Sequence, residues 1–201
     1  MLNKPEIIKE TSRGIEKINT VSELYTSGRM LFLNGSIGSE ECAGIITSLF
    51  YLEKTDPDSP VTLIINSPGG EVRSGLAVYD VLSLMKSPVI TVCMGQAASM
   101  GSIIFLAGDK RIMLPHSELM IHDPSYGSFN ADHMKPHEIQ ERVDSLRKTG
   151  DELVRIVVNR TGNDEETIRQ KMKEDSFFNA DEALAFGLAT KIAGSLKEVL
   201  P

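Results

Sequence analysis

The stretch PVITVCMGQAASMG at residues 88–101, followed by the apolar run IIFLA at 103–107, decides the fold. Residues 88–94 lack the polar alternation of a half-exposed strand, so they predict a strand buried on both faces. Residues 103–107 predict a buried helix, and Ser99 lies at the junction. On this segment alone, the simpler interpretation of Ser99 is a cap whose hydroxyl accepts an orphan helix N–H. The alternative is a nucleophile on a sharp turn, beside backbone N–H groups that can bind an oxyanion.

The composition is that of an ordinary globular protein. The 201 residues, 41% of them hydrophobic, suffice for one domain with a full core. A net charge of −7 without a basic run argues against a nucleic-acid partner. No apolar run approaches the roughly 20 residues that span a bilayer, so we expect no membrane association. The N-terminus does not resemble a secretory signal, and the two cysteines fit a reducing compartment. A cytoplasmic location is therefore expected.

Strand and helix patterns alternate along the chain. Residues 1–28 predict an N-terminal arm, and residues 29–201 predict a single domain. We expect strands at 29–33, 61–65, 88–94, 111–114, 119–121 and 188–192, and further helices at 39–53, 74–86, 164–174 and 181–186. A long amphipathic helix is expected at about 133–160, with Gly162 as its cap. This order predicts an α/β fold with parallel strands and right-handed crossovers.

Distinctive residues follow three of the predicted strands, at the carboxyl ends where functional groups gather in open α/β sheets. They are the loop SPGG at 67–70, Ser99 and His122. The glycine loop is either a tight strand-to-helix turn or a source of N–H donors for a carbonyl oxygen or phosphate. His122 is either a satisfied core histidine or, paired with a strand-end serine, a general base.

The carboxylate that would orient such a histidine is left open by spacing. The candidates are Asp123, Asp144, Asp151, Asp175 and Asp181. Asp175 precedes an apolar pair at a helix exit, where we expect it to be partly buried.

A metal pair is a further possibility, because His133 and His137 have i, i+4 spacing. No third ligand is evident nearby and Pro136 lies between them, so a solvated helix start is the better interpretation. No Walker-type glycine loop is present in the sequence. We therefore expect neither a metal nor a cofactor.

Several motifs, in this order, resemble the family of the proteolytic subunit of the Clp protease (ClpP). They are NSPGG at 66–70, MGQAASMG at 94–101, LPHS at 114–117 and MIH at 120–122. The segment ETSRG at 10–14 resembles the family's N-terminal axial loop. The C-terminal part is similar at TG 161–162, DSF 175–177, ADEA 180–183 and FGL 186–188. The resemblance covers nearly the whole chain and implies a crotonase-like α/β core with a protruding handle helix.

Carried over residue by residue, the resemblance implies a serine endopeptidase that cleaves unfolded polypeptides and short peptides. Ser99 matches the family's nucleophile, His122 its general base and Asp175 the carboxylate that orients the histidine. The backbone N–H groups of Gly70 and Met100 match its oxyanion hole. These are the parts that acyl transfer from a peptide needs.

The resemblance also implies an assembly. Subunits of this family form seven-membered rings, and two rings stack into a tetradecameric barrel with the active sites inside. Hexameric AAA+ unfoldases dock on the ends and feed unfolded substrate, using ATP that they bind themselves.

Three positions depart from the family's pattern. Segment 123–131 holds one glycine where the family has a glycine-rich strand that pairs the rings. Glu174 stands where an arginine often precedes the catalytic aspartate, and Glu71 replaces an apolar residue after the oxyanion glycine. Ring–ring contact and cleavage preference are therefore open. The competing hypotheses are a crotonase-type acyl-CoA enzyme, a Ser–Lys peptidase using Lys110 or Lys148, and a poorly active structural subunit of a mixed ring.

Overall fold

The computed structural model describes residues 6–11, 14–128 and 130–200. The part of the predicted arm that lies within these ranges has regular structure. Strands β1 (Glu6–Thr11) and β2 (Gly14–Asn19) form an antiparallel hairpin, and helix α1 (Thr20–Thr26) follows directly. Residues 12–13 of the ETSRG segment lie outside the described residues. Sequence periodicity missed the hairpin because its apolar side chains Ile8 and Ile15 are exposed, so no buried face imposes a pattern.

The remaining chain is a mixed α/β fold around a parallel sheet, as the strand and helix alternation predicted. Its elements are β3 (Met30–Asn34), α2 (Ser39–Thr55), β4 (Val61–Ser67), α3 (Val72–Leu84), β5 (Val89–Ala98), α4 (Met100–Leu106), β6 (Lys110–Met113), β7 (Glu118–Ile121), α5 (Pro136–Thr161), α6 (Glu165–Met172), β8 (Ser176–Asn179), α7 (Ala180–Phe186), β9 (Lys191–Ile192) and a short 3₁₀ turn (Leu196–Glu198). The main sheet has the parallel order β3-β4-β5-β6-β9.

The core lies on both faces of this sheet, which explains the unbroken apolar runs of its central strands. On one face, Leu63 and Ile65 of β4 are fully buried beneath the helices. On the other face, Ile64 and Val92 belong to a second buried cluster with Met30. Every residue of α4 is buried, so this helix is enclosed by its neighbours.

A bend in β5 separates its two halves and positions the residues that follow it. Residues 90–93 pair with β6, whereas residues 96–98 pair with β7, also in parallel. Gly95 lies between them with φ of 99°, and a Cβ there would lie 2.6 Å from Oδ1 of Asn66. Only glycine fits this backbone. The bend turns the end of β5 toward β7, so that Ser99, the next residue, lies beside that strand.

Strand β8 was not expected from the sequence, which placed residues 175–180 between two helices. It pairs antiparallel with β7, so the sheet is not wholly parallel. In this strand of four residues, Phe177 is exposed and Phe178 is buried. So short an alternation cannot be recognised in the sequence.

Several element boundaries also differ from expectation, and three of them are instructive. Helix α5 begins at Pro136 rather than at 133, because the Glu138 carboxylate accepts the Lys135 N–H at 2.6 Å and His133 has φ of 60°. Its residues 136–149 are not buried, so its first half leaves the core as a handle helix does. Helix α3 occupies Val72–Leu84 rather than 74–86. The last strand begins at Lys191 instead of 188, since the carbonyls of Gly187 and Leu188 bind the Arg111 guanidinium.

Both cysteines are buried free thiols. Burial raises the pKa of Cys93 to about 11, so its thiolate is scarce near neutral pH. In the ranges that the structure covers, no helix is both long enough and apolar enough to cross a bilayer.

Candidate active site

Ser99 lies on a strained turn that is held in place by hydrogen bonds to β7 and α4. Its backbone has φ of 54° and ψ of −124°, a region that costs a non-glycine residue about 1–3 kcal/mol. The Ser99 N–H donates to the Met120 carbonyl at 2.9 Å, and the Ser99 carbonyl accepts from the Ser102 N–H at 3.0 Å. Although Ser99 occupies the N-cap position of α4, its side chain makes no capping bond. The capping interpretation is therefore wrong, and the hydroxyl is available for another partner.

That partner is His122, the residue directly after β7. Ser99 Oγ lies 2.8 Å from Nε2 of His122, and Nδ1 of the same ring lies 2.9 Å from Oδ1 of Asp175. Because a carboxylate can only accept, Nδ1 carries the proton toward Asp175 and leaves Nε2 to accept the Ser99 hydroxyl. The three side chains thus form one continuous hydrogen-bonded chain.

The pairing of β7 with β8 explains how Asp175 reaches His122 across 53 positions of sequence. The last pair of this antiparallel ladder is Ile121 with Ser176. His122 and Asp175 are each the next residue outward, so continuing the register places them opposite each other. The Asp175 side chain is 63% exposed and that of His122 is 25% exposed. The expectation that Asp175 is partly buried is therefore wrong for this chain, because β8 is an edge strand.

The glycine loop packs directly against the Ser99 turn. A Cβ on Gly69 would lie 2.6 Å from Ser99 Cβ and 2.8 Å from the Ala98 carbonyl oxygen, so no side chain fits there. Ser67 fixes the loop through two hydrogen bonds. Its hydroxyl donates to the Gly35 carbonyl at 2.6 Å and accepts the Gly69 N–H at 3.1 Å. Gly70 approaches Ile37 just as closely, with a Cβ position 2.2 Å from the Ile37 carbonyl oxygen.

Two backbone N–H groups near Ser99 have no acceptor among the residues that the structure describes. Gly70 forms a bridge with Ile37 in which the flanking groups, the Gly69 carbonyl and the Glu71 N–H, make the bonds at 2.8 and 2.9 Å. Since successive peptide groups alternate, the Gly70 N–H points away from Ile37. Met100 is the first residue of α4, so its N–H has no intrahelical partner. In the described part of the chain, no protein acceptor is found for either group.

A small cavity opens beside Ser99 and His122. Its wall is mostly apolar and is formed by Val72, Met100, Ser102, Ile103, Ile121, Pro124, Leu153 and Met172. Glu71 is not part of this wall within the described residues. Its carboxylate instead accepts the Ser74 hydroxyl at 2.9 Å, and together with burial and Glu41 it raises the pKa of Cys42.

The other sequence candidates lie apart from this chain of hydrogen bonds. Asp151 pairs with Arg169 at 2.7 Å, and Asp144 accepts from Gln140 at 2.8 Å. Asp181 lies in the first turn of α7. Asp123 follows His122 but does not bond its ring in the described structure, and burial raises the pKa of its carboxyl.

The lysine candidates and the histidines considered as metal ligands also lie outside this chain of hydrogen bonds. Lys110 lies on β6, and Lys148 on α5. His133 precedes α5 and therefore does not share its face with His137. Among the residues with described positions, no group of three or more His, Cys, Asp and Glu side chains is arranged to hold a metal ion.

Sequence reasoning missed three groups that support the site. They are the Ser67 hydroxyl, the Met120 carbonyl and the Ser102 hydroxyl, which donates to the Ser99 carbonyl at 2.6 Å. Ser67 lies within the SPGG loop, so the motif itself carried a signal for it. The other two act through contacts between elements or within a helix turn, and residue spacing does not predict such contacts.

Serine hydrolases use this arrangement, in which a hydroxyl, an imidazole and a carboxylate are joined by hydrogen bonds beside unpaired N–H donors. The family model described as Clp protease matches residues 12–195. The chain therefore belongs to the Clp protease family, a family of serine peptidases.

Proposed function

We propose that this chain is a serine endopeptidase with Ser99 as nucleophile, His122 as general base and Asp175 as the orienting carboxylate. The observation that carries the proposal is the pair of hydrogen bonds, 2.8 and 2.9 Å long, that joins the three side chains through one imidazole. Membership of the Clp protease family supports it independently. A crotonase-type acyl-CoA chemistry requires no such series.

In the proposed reaction, Ser99 Oγ attacks the carbonyl carbon of the scissile peptide while His122 Nε2 takes the hydroxyl proton. The carbonyl oxygen becomes an oxyanion, which the N–H groups of Gly70 and Met100 stabilise. His122 then gives its proton to the leaving amine, the C–N bond breaks and an acyl-enzyme forms. Water repeats the sequence, releasing the acid and restoring Ser99. Asp175 holds the imidazole in the required tautomer and stabilises its charged form.

The cavity beside Ser99 has a volume of only about 20 Å³, room for little more than one water molecule, so a substrate side chain would have to widen it. Its apolar lining supports a preference for an apolar substrate side chain next to the scissile bond. Val72 and Leu153 contribute to its wall, whereas Glu71 faces Ser74. We therefore propose that the acidic substitution at position 71 does not set the preference in this cavity.

We further propose that the chain works in the cytoplasm as stacked seven-membered rings, fed with unfolded polypeptides by an AAA+ Clp unfoldase. Family membership supports this proposal, as does the handle-like α5. Large apolar side chains on α2 and α3 also support burial against further subunits: Phe50, Tyr51 and Leu84 are 60%, 58% and 85% exposed.

A structural subunit of a mixed ring is the second candidate function. It is favoured by the segment after β7, where residues 122–128 and 130–135 form no strand. The exposed position of Asp175, preceded by Glu174, favours it too. In that case the chain would organise an assembly whose turnover depends on another subunit.

Labelling with a fluorophosphonate probe tests the proposal, run together with the mass of the particle in solution. We expect covalent labelling at Ser99 in a particle of about fourteen subunits, and no labelling of S99A. The variant S117A is the control, since Ser117 is a buried serine outside the site. Labelling that persists in S99A contradicts the nucleophile assignment. A well-folded wild-type chain that is never labelled favours the structural subunit.

A further inference from the structure

We propose that Ser102 is a positioning residue: its buried hydroxyl fixes the Ser99–Met100 peptide and so aims the Met100 N–H at the oxyanion. The inference rests on the proposed function, because it concerns the donor that would stabilise the tetrahedral intermediate. It adds a residue whose hydroxyl acts through the backbone and does not contact the reacting atoms.

The geometry concentrates donors on a single carbonyl. The Ser102 hydroxyl donates to the Ser99 carbonyl at 2.6 Å, and the Ser102 N–H donates to the same oxygen at 3.0 Å. The Ile103 N–H approaches it at 3.4 Å. Ser102 is 0% exposed, so its hydroxyl does not exchange this partner for water. An ordinary helix carbonyl receives one main-chain donor, so the side-chain bond is an addition.

A peptide unit is planar, so the direction of its carbonyl determines the direction of its N–H. The Ser99 carbonyl and the Met100 N–H belong to the same trans peptide. Fixing the first therefore fixes the second, which has no other protein partner in the described chain. Ser99 also has φ of 54°, a strained value that would relax if its anchors were lost. The Met120 carbonyl anchors the N-terminal side of Ser99, and Ser102 anchors the C-terminal side.

The same bond strengthens the donor. Hydrogen bonds to a peptide carbonyl polarise the unit and make its N–H a better donor, by roughly 10–30% per bond. Removing an oxyanion donor outright lowers kcat by about 10²–10³-fold. Because removal of the Ser102 hydroxyl leaves the Met100 N–H in place but less well aimed, we expect a smaller loss, about three- to tenfold.

Ser117 offers a matched control elsewhere in the fold. Its hydroxyl donates to the Leu114 carbonyl at 2.7 Å, and its N–H donates to the same oxygen at 3.0 Å. It is 3% exposed and lies just before β7, at the opposite end of that strand from His122. The two serines thus share the three-residue motif and the burial but not the neighbourhood of Ser99.

The test measures kcat and KM for a fluorogenic peptide, and inhibition by a peptide aldehyde whose hemiacetal oxygen occupies the oxyanion position. The variants are S102A, S102C and S102T, with S117A as control. We expect S102A and S102C to lower kcat and aldehyde affinity by the same three- to tenfold factor, with KM unchanged. S102T, which keeps the hydroxyl, should restore both. S117A should stay within twofold of wild type.

Two results would overturn the inference alone: S102A indistinguishable from wild type while S99A is inactive, or an equal kcat loss in S117A. S102C provides a second test if S102A folds poorly, because a thiol leaves no cavity in place of the hydroxyl and is a weaker donor. An S99A variant with full activity would overturn the proposed function itself, and this inference with it.

Discussion

Ser99 and Asp175 occupy opposite kinds of position, although one histidine joins them. Ser99 follows β5, at the centre of the sheet, and is held by groups from β7, from the Gly69 loop and from its own helix. Asp175 precedes β8, a four-residue strand at the sheet edge, and its side chain is 63% exposed. The proposed nucleophile is thus positioned by the interior of the fold, whereas the proposed orienting carboxylate depends on a single strand pairing.

This difference predicts a graded response to losing Ser99 or Asp175, the two ends of the series. S99A removes the proposed nucleophile, so turnover of a fluorogenic peptide should fall on the order of 10⁵–10⁶-fold. D175N keeps the fold but loses control of the His122 tautomer, and we expect a fall of about 10²–10⁴-fold. D181N is the control and should remain within twofold of wild type. Near-normal turnover of D175N would return the role to another carboxylate.

The central position should also be the less tolerant of added volume. In G69A, the new methyl would contact the Ser99 Cβ at 2.6 Å, and φ of 96° adds backbone strain. We expect turnover to drop by about 10²-fold, since displacements near 1 Å have that effect. The control G44A adds a methyl where nothing lies within 4 Å, in the middle of a helix. Its melting temperature should equal or exceed that of wild type; equal losses in both variants would contradict the packing argument.

The edge position can be weakened by itself. Phe178 of β8 is 5% exposed, with its ring centroid 5.0 Å from that of Phe186, whereas Phe177 is 56% exposed. F178A should lower the free energy of unfolding by about 3–5 kcal/mol and slow fluorophosphonate labelling, as β8 loosens from the core. F177A should change the unfolding free energy by less than about 1 kcal/mol. Denaturant titration of both variants checks this, and unchanged labelling in F178A would show that Asp175 does not depend on β8 packing.

Much of the fold was predictable because its strongest signals are local. Unbroken apolar runs indicated the buried strands β4 and β5, and the helical spacing of apolar residues indicated α2 and α5. The weak points were the hairpin at residues 6–19 and strand β8. Both are short antiparallel pairs with at least one exposed face, so long-range pairing rather than periodicity determines them.

The candidate site divides in the same way. Ser99, His122 and the glycine loop were recognisable as strand-end residues, and they lie together because carboxyl ends of parallel strands meet at one edge. Spacing could not choose among five aspartates, and only the resemblance to a family favoured Asp175. Its catalytic role stays a prediction that the D175N variant tests.

The sequence by itself determined the alternation of the buried core strands with helices and the need for glycine at the turns, since both follow from side-chain periodicity and backbone freedom. It also determined that a serine stands between a buried strand and a buried helix. Only the tertiary structure decided which groups meet. The register of β7 against β8 places Asp175 opposite His122, and the Gly69 loop packs against the Ser99 turn. Within the described residues, the N–H groups of Gly70 and Met100 then lie beside Ser99 without a protein acceptor. Such contacts join segments far apart in the chain, and no local pattern of residues encodes them.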